Sequence, residues 1–233
     1  MFVDRERFKT YVWQILDECV AIGVDSTLIV VIVSLFVGAV MSIQIYHNLQ
    51  TPFPKDFLVG YGVRNMTMLE MSTTVLAIIF AGRVGSSIAG QLGSMRISEQ
   101  IDALEIMGIN TSSYLVLPKI IASILTYPLL VIISAFLAIY SGLVTAEFVL
   151  SVSSENYIQG LRMKFDPYLA YFALYKSAVF AFLVSSISAY RGFYVAGGAV
   201  EVGKASTRAV TDSCVAILLA DYVLTQLLYS PTI

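Results

Sequence analysis

The sequence predicts an all-α, polytopic helical membrane protein of five transmembrane helices forming one domain over 1–233. It adds an N-terminal interfacial helix and a short acidic helix between spans two and three. Three observations carry this. The 233 residues are 58% hydrophobic and only 13% charged. Their mean hydropathy of +0.80 exceeds that of a soluble domain with a polar surface. Five apolar stretches also reach the roughly 20 residues that cross a hydrocarbon core.

The elements follow in order. Residues 1–24 place Phe2, Val12, Ile15, Leu16, Cys19, Val20 and Val24 at spacings of three to four, with Arg5, Lys9 and Asp17 mostly elsewhere. That pattern predicts an amphipathic helix lying in the membrane interface, and the mixed charges with no A-x-A site argue against a cleaved signal peptide. Spans are expected at 27–46, 67–92, 113–148, 167–193 and 207–229.

Orientation follows from the cations. With an internal N-terminus, Arg5, Arg7, Lys9, Arg83, Arg96, Lys119, Arg191, Lys204 and Arg208 lie inside. Lys55, Arg64, Arg162 and Lys164 lie outside, and Lys176 falls within a span. The bias puts the N-terminus in the cytoplasm and the C-terminus outside.

"SEQIDALEIMGI" (98–109) places Glu99, Asp102 and Glu105 in a chain poor in acids. At 100° per residue, Ile97, Ile101, Leu104 and Met107 share one arc and the acids the other. Ser98 is the expected N-cap and Gly108 the C′ residue, bounding a helix too short to span. The pattern suits either a solvated loop helix or a docking surface, and caps at both ends favour docking.

"AGRVGSSIAGQLG" (81–93) carries two rows of small residues. Ala81, Gly85, Ala89 and Gly93 form one; Gly82, Ser86 and Gly90 form the other, a pattern that lets helices approach closely. Arg83, within it, is expected to snorkel. Lys176 and Asp221 fall about 12–14 Å below the outer interface by residue count, so equal depth pairs them. Glu70 is placed near the external mouth.

Other signals are weaker. "GAVEVGKAS" (198–206) nearly spells a phosphate-binding loop, but Ala205 stands where a hydroxyl would ligate Mg²⁺ and no strand precedes it. It reads as a flexible linker. Cys19 and Cys214 have no metal or disulfide spacing, His47 reads as an interface residue, and no metal site is expected. The net charge of −2 argues against a nucleic-acid partner.

Taken together, "AGRVGSSIAGQLGSMRISEQIDALEIMGI", "YLVLPK", the block from Lys176 to Tyr229 and "FVGAVMSIQ" resemble the permease subunits of lipid-asymmetry ABC transporters, the MlaE-type family. The resemblance implies a non-catalytic homodimeric permease of the bacterial inner membrane. It binds no cofactor directly, ATP and Mg²⁺ residing on a partner ATPase. A hexameric MCE-domain carrier would meet its periplasmic face, and the cargo would be phospholipid or a related lipid. It also makes 98–108 a coupling helix, with Glu99, Asp102, Glu105 and Met107 toward the ATPase. It implies a lipid path at the dimer centre near Gln44, Leu69, Glu70 and Tyr222, beside Lys176 and Asp221. Where the family reads R-E-L-G-P, this chain reads "LEMST" (69–73), which keeps Glu70 and removes the kink a proline would impose. The rival reading is an ion-coupled secondary transporter of an amphipathic substrate, with Lys176, Asp221 and Glu70 carrying the coupling charges. No internal repeat supports it. An intramembrane enzyme lacks any nucleophile–base or metal set.

Overall fold

A computed structural model describes residues 5–49 and 56–228, with side chains from residue 11. Residues 1–4 of the expected interfacial segment, Lys55 and residue 229 lie outside them. The described elements are helices: α1 (Arg5–Asn48), α2 (Phe57–Ile97), α3 (Gln100–Ile106), α4 (Ser112–Phe148), α5 (Ser154–Arg162), α6 (Pro167–Phe193) and α7 (Ala199–Leu228). Five of them, α1, α2, α4, α6 and α7, are long and apolar enough to cross a membrane.

Several expected boundaries move. Among the described residues nothing separates the expected interfacial segment at 1–24 from the span at 27–46, because α1 is continuous over 44 residues from Arg5, about 66 Å of helix. No proline interrupts it, and Gly23 alone does not break a helix. The second span begins ten residues early, at Phe57. The expected flexible linker at 198–206 is already helical from Ala199, supported by an i,i+3 ion pair of Glu201 with Lys204 at 2.6 Å. Helix α5 stands where the sequence reading had only loop. Ser153 caps it by accepting from the Asn156 amide.

The chain divides into two compact units. The first comprises residues up to Ser26, Ala77–Pro128 and Ser177 onward. Its centre is the row Ala81, Gly85, Ala89 and Gly93, all buried, against α6 and α7. A Cβ at Gly85 would come within 2.8 Å of Ser188 Oγ, and one at Gly192 within 2.6 Å of the Ala89 carbonyl oxygen. Close backbone approach is what small-residue rows permit. Gly192→Val is therefore expected to lower stability by about 1–3 kcal/mol through overpacking, read as a lower melting temperature with helical content retained. Gly82, of the second row, has open space at its Cβ position. At the far end of that row Gly90 approaches Ser206.

The second unit comprises Thr27–Leu76 and Leu129–Lys176. Here α1 packs on α4 through Ser34–Ser134 hydroxyls at 2.7 Å and a Ser42 hydroxyl donating to the Gly142 carbonyl at 3.0 Å. Between these contacts Gly38 faces the Ala138 carbonyl so closely that no Cβ fits. Tyr157 of α5 packs in a buried cluster with Val59 and Val63 at the start of α2, Ala146 of α4 and Val152. Burial pushes the Tyr157 phenol well up, so it stays a neutral donor to the Ile139 carbonyl. Arg64 is buried and donates to the carbonyls of Leu161, Met163 and Lys164, gathering the carbonyl end of α5.

Tyrosine is a residue type favoured at membrane boundaries. On α6 Tyr168, Tyr171 and Tyr175 are exposed toward one end and Tyr190 toward the other, with Tyr194 exposed just beyond the helix.

Candidate functional site

The charged centre of the second unit is built on a deformation of α2. Over Thr67–Val75 the helix widens into π-helical turns. The Ser72 hydroxyl bonds the Thr67 carbonyl five residues back at 2.7 Å, and Thr73 Oγ1 bonds the Leu69 carbonyl at 3.1 Å. The segment "LEMST" (69–73), without glycine or proline, still distorts its helix, with hydroxyls competing for backbone carbonyls.

Lys176 reaches this stretch from α6. Its side chain is 0% exposed, and Nζ lies 3.1 Å from Glu70 Oε2 and 3.0 Å from the Leu69 carbonyl. The same carboxylate oxygen accepts from Thr74 Oγ1 at 3.1 Å, and the ammonium sits 5.6 Å from the Phe172 ring centroid. A buried ammonium needs all of these partners, because desolvation penalises its charge. Glu70 is 34% exposed at its side chain, so the pair is open on its acidic side.

Of the expected lipid-path residues, the structure thus joins Leu69 and Glu70, with Lys176 as their partner. Gln44 is exposed near the end of α1 in the same unit. Asp221, half-buried, and Tyr222, 72% exposed, belong to α7 and the first unit.

The acidic helix α3 differs from its sequence reading in what it presents. Ser98 is not its N-cap: it ends α2, its hydroxyl donating back to the Ser94 carbonyl at 2.8 Å. Glu99 makes the turn instead, at φ 60° in the left-handed region. Gly108 takes the expected C′ position at φ 76°. Its amide bonds the Glu105 carbonyl and the Ile109 amide bonds the Leu104 carbonyl, a complete Schellman closure.

Two of the three acids are spent inside the loop. Asp102 pairs with Arg96 at 2.5 Å, and Glu105 accepts from the Thr111 hydroxyl at 3.1 Å. Ile101 is buried and anchors the helix, whereas Ile106 and Met107 are 88% and 66% exposed. The outward surface of the loop is an apolar tip flanked by Glu99.

Sequence reasoning passed over one node. Lys119, at the start of α4 and 7% exposed, pairs with Glu18 of α1 and donates to Gln91 of α2 at 2.8 Å. It ties three helices of the first unit together. Its only signal was a lysine two residues beyond the apolar turn "YLVL".

Five membrane-length helices, a buried ion pair on a deformed span and a capped, apolar-tipped loop helix define a multi-pass membrane permease. A family model described as Permease MlaE matches residues 15–227, and the chain belongs to that family. A probable ABC transporter permease protein of Rickettsia bellii is 34% identical over 92% of this chain and 83% of its own length. A probable ABC transporter permease protein of Synechocystis is 31% identical over 93% and 82%. The chloroplast protein trigalactosyldiacylglycerol 1 of Arabidopsis thaliana is 31% identical over 89% of this chain and 59% of its own length. A permease of this class works with an ATPase.

Proposed function

We propose that the chain is the lipid-moving permease subunit of an ABC transporter. It acts as a homodimer in the bacterial inner membrane, N-terminus cytoplasmic and C-terminus periplasmic. It passes phospholipid or a related lipid between that membrane and an MCE-type periplasmic carrier. ATP and Mg²⁺ bind the partner ATPase. The observation that carries the lipid reading is the similarity, over most of this chain, to a plant protein named for a galactolipid.

In this reading 98–108 is the coupling helix, with Glu99 and Met107 at the ATPase and Asp102 and Glu105 holding its shape. Gln44, Leu69, Glu70 and Tyr222 line the lipid path. Lys176 sits behind Glu70, and Asp221 is the second acid that equal depth assigns to the same lysine.

Native co-purification followed by mass spectrometry of proteins and lipids tests this. An ATPase and bound phospholipid should be recovered together. Recovery of neither, or lipid movement that needs an ion gradient and no ATP, would overturn it. The second outcome would promote the ion-coupled reading, which the buried Lys176–Glu70 pair alone favours.

A further inference from the structure

Among the first-unit cations with described side chains, Arg83 and Arg208 make no ion pair, and Arg208 still acts electrostatically on Glu201. Arg83 lies inside the membrane-length helix α2, in a second π-helical stretch at Ala81–Gly85, and is exposed. Arg96, Lys119, Arg191 and Lys204 are each paired with an acid, Asp102, Glu18, Asp212 and Glu201 respectively. Among the described residues the Arg83 guanidinium has neither an ion pair nor a hydrogen bond. Helix α2 carries no acid from Met71 to Ser98 that could serve it.

Its depth follows from packing inside this unit. Gly85 meets Val184 and Ser188, Ala89 meets Gly192, and Gly93 meets Val195, so α2 and α6 run parallel. Tyr190, exposed near the end of α6, is of the residue type favoured at a membrane boundary and sets the reference level. Arg83 then sits about 9 Å inward of Tyr190, at 1.5 Å per residue. Helix α7 runs the other way, with Val202 at Gly93 and Ser206 at Gly90. That puts Asp212 nearest Arg83 in level, and Asp212 is held by Arg191 at 2.7 Å.

Snorkelling is disfavoured by direction. A helical Cα–Cβ bond leans toward the helix N-terminus, which for α2 points away from the Tyr190 level and deeper into the membrane. An unpaired cation aimed at hydrocarbon is costly, so an anion must come to it at that depth. Gly82 beside it has nothing within 4 Å of its Cβ position, leaving room for a bulky group. The planar fork of arginine fits phosphate oxygens bidentately.

We propose that Arg83 is a phosphate-binding residue for the moving lipid, a station along α2 distinct from Glu70. This rests on the lipid-transport reading above and adds to it a preference for phosphate-bearing headgroups. The test uses the full complex with its ATPase, equilibrated with equal amounts of phosphatidylglycerol and monogalactosyldiacylglycerol and read by native mass spectrometry. Arg83→Met should cut phosphatidylglycerol retention about tenfold, the loss of one charge-assisted bond, and leave the galactolipid unchanged. Arg83→Lys should retain part of the difference, and inorganic phosphate at millimolar level should not displace the lipid.

Unchanged retention in Arg83→Met, equal loss of both lipids, or displacement by inorganic phosphate alone would overturn the station. A melting temperature matching wild type certifies that each variant is folded. Wild-type complex that neither couples to ATP nor moves lipid would overturn the transport reading instead, and the retention ratio would still report on Arg83.

Discussion

Glu70→Gln is expected to destabilise the purified protein by about 2 kcal/mol, read by denaturation in a fixed detergent. Removing one partner of a buried ion pair takes a charge from beside a desolvated group, and here that group is Lys176 at 0% exposure. The estimate sits below the usual loss for a fully buried pair because Glu70 is a third exposed. The Leu69 carbonyl would also remain a partner of the ammonium. Lys176→Met should cost less, since the acid left behind reaches solvent and keeps its bond from Thr74. The double variant should recover part of the loss, giving a coupling energy of about 1–2 kcal/mol between the two positions. A coupling near zero would remove Glu70 as the working partner of Lys176. The same cycle with Asp221→Asn measures whether the acid at equal depth shares that lysine. Lipid transport should fall in both single variants, because Glu70 is the open side of the pair.

Most of the spanning architecture was legible in the sequence, since hydropathy over some twenty residues reports directly on the cost of leaving polar groups in lipid. The span at 167–193 coincides with α6, and the row Ala81, Gly85, Ala89 and Gly93 packs as four-residue spacing predicts. Helix continuity was not legible. Composition changes near residue 24 and again near 206, but backbone hydrogen bonding carries α1 and α7 through both points, because polar composition does not break a helix. The π-helical turns at Thr67–Val75 were equally hidden. They go with which carbonyl each of Ser72 and Thr73 takes, a choice among several neighbours that the sequence does not specify. For the site, residue counting identified Lys176, Glu70 and Asp221 as charges within the membrane, yet it placed Glu70 only near the external mouth. That the Glu70 carboxylate meets Lys176 depends on the direction in which the lysine leaves α6, which residue counting does not give.

The acids of α3 show the same limit, and they set the second large prediction. Ile106→Asp with Met107→Asp should abolish retention of the ATPase, a loss of at least about 100-fold, while the melting temperature changes little. Exposed apolar side chains contribute almost nothing to folding yet supply the anchor of an interface, and Ile106 at 88% exposure is the most exposed large apolar side chain of the loop. Asp102→Lys with Glu105→Lys acts by another route. It places like charge against Arg96 and removes the acceptor of the Thr111 hydroxyl, unfastening the loop on both flanks of α3. That variant should weaken ATPase retention by about tenfold and also raise proteolytic cleavage between residues 98 and 111. Asp102→Asn with Glu105→Gln discriminates the two routes, since the amides keep part of the hydrogen bonding and discard the charge. If charge attracted the ATPase, the amide variant would lose binding as severely as the lysine variant, with steep salt dependence in wild type. If shape is what matters, the amide variant stays near wild type and the apolar tip carries the loss. Retention of the ATPase by the Ile106→Asp, Met107→Asp protein would remove α3 as the docking element, whatever its acids do.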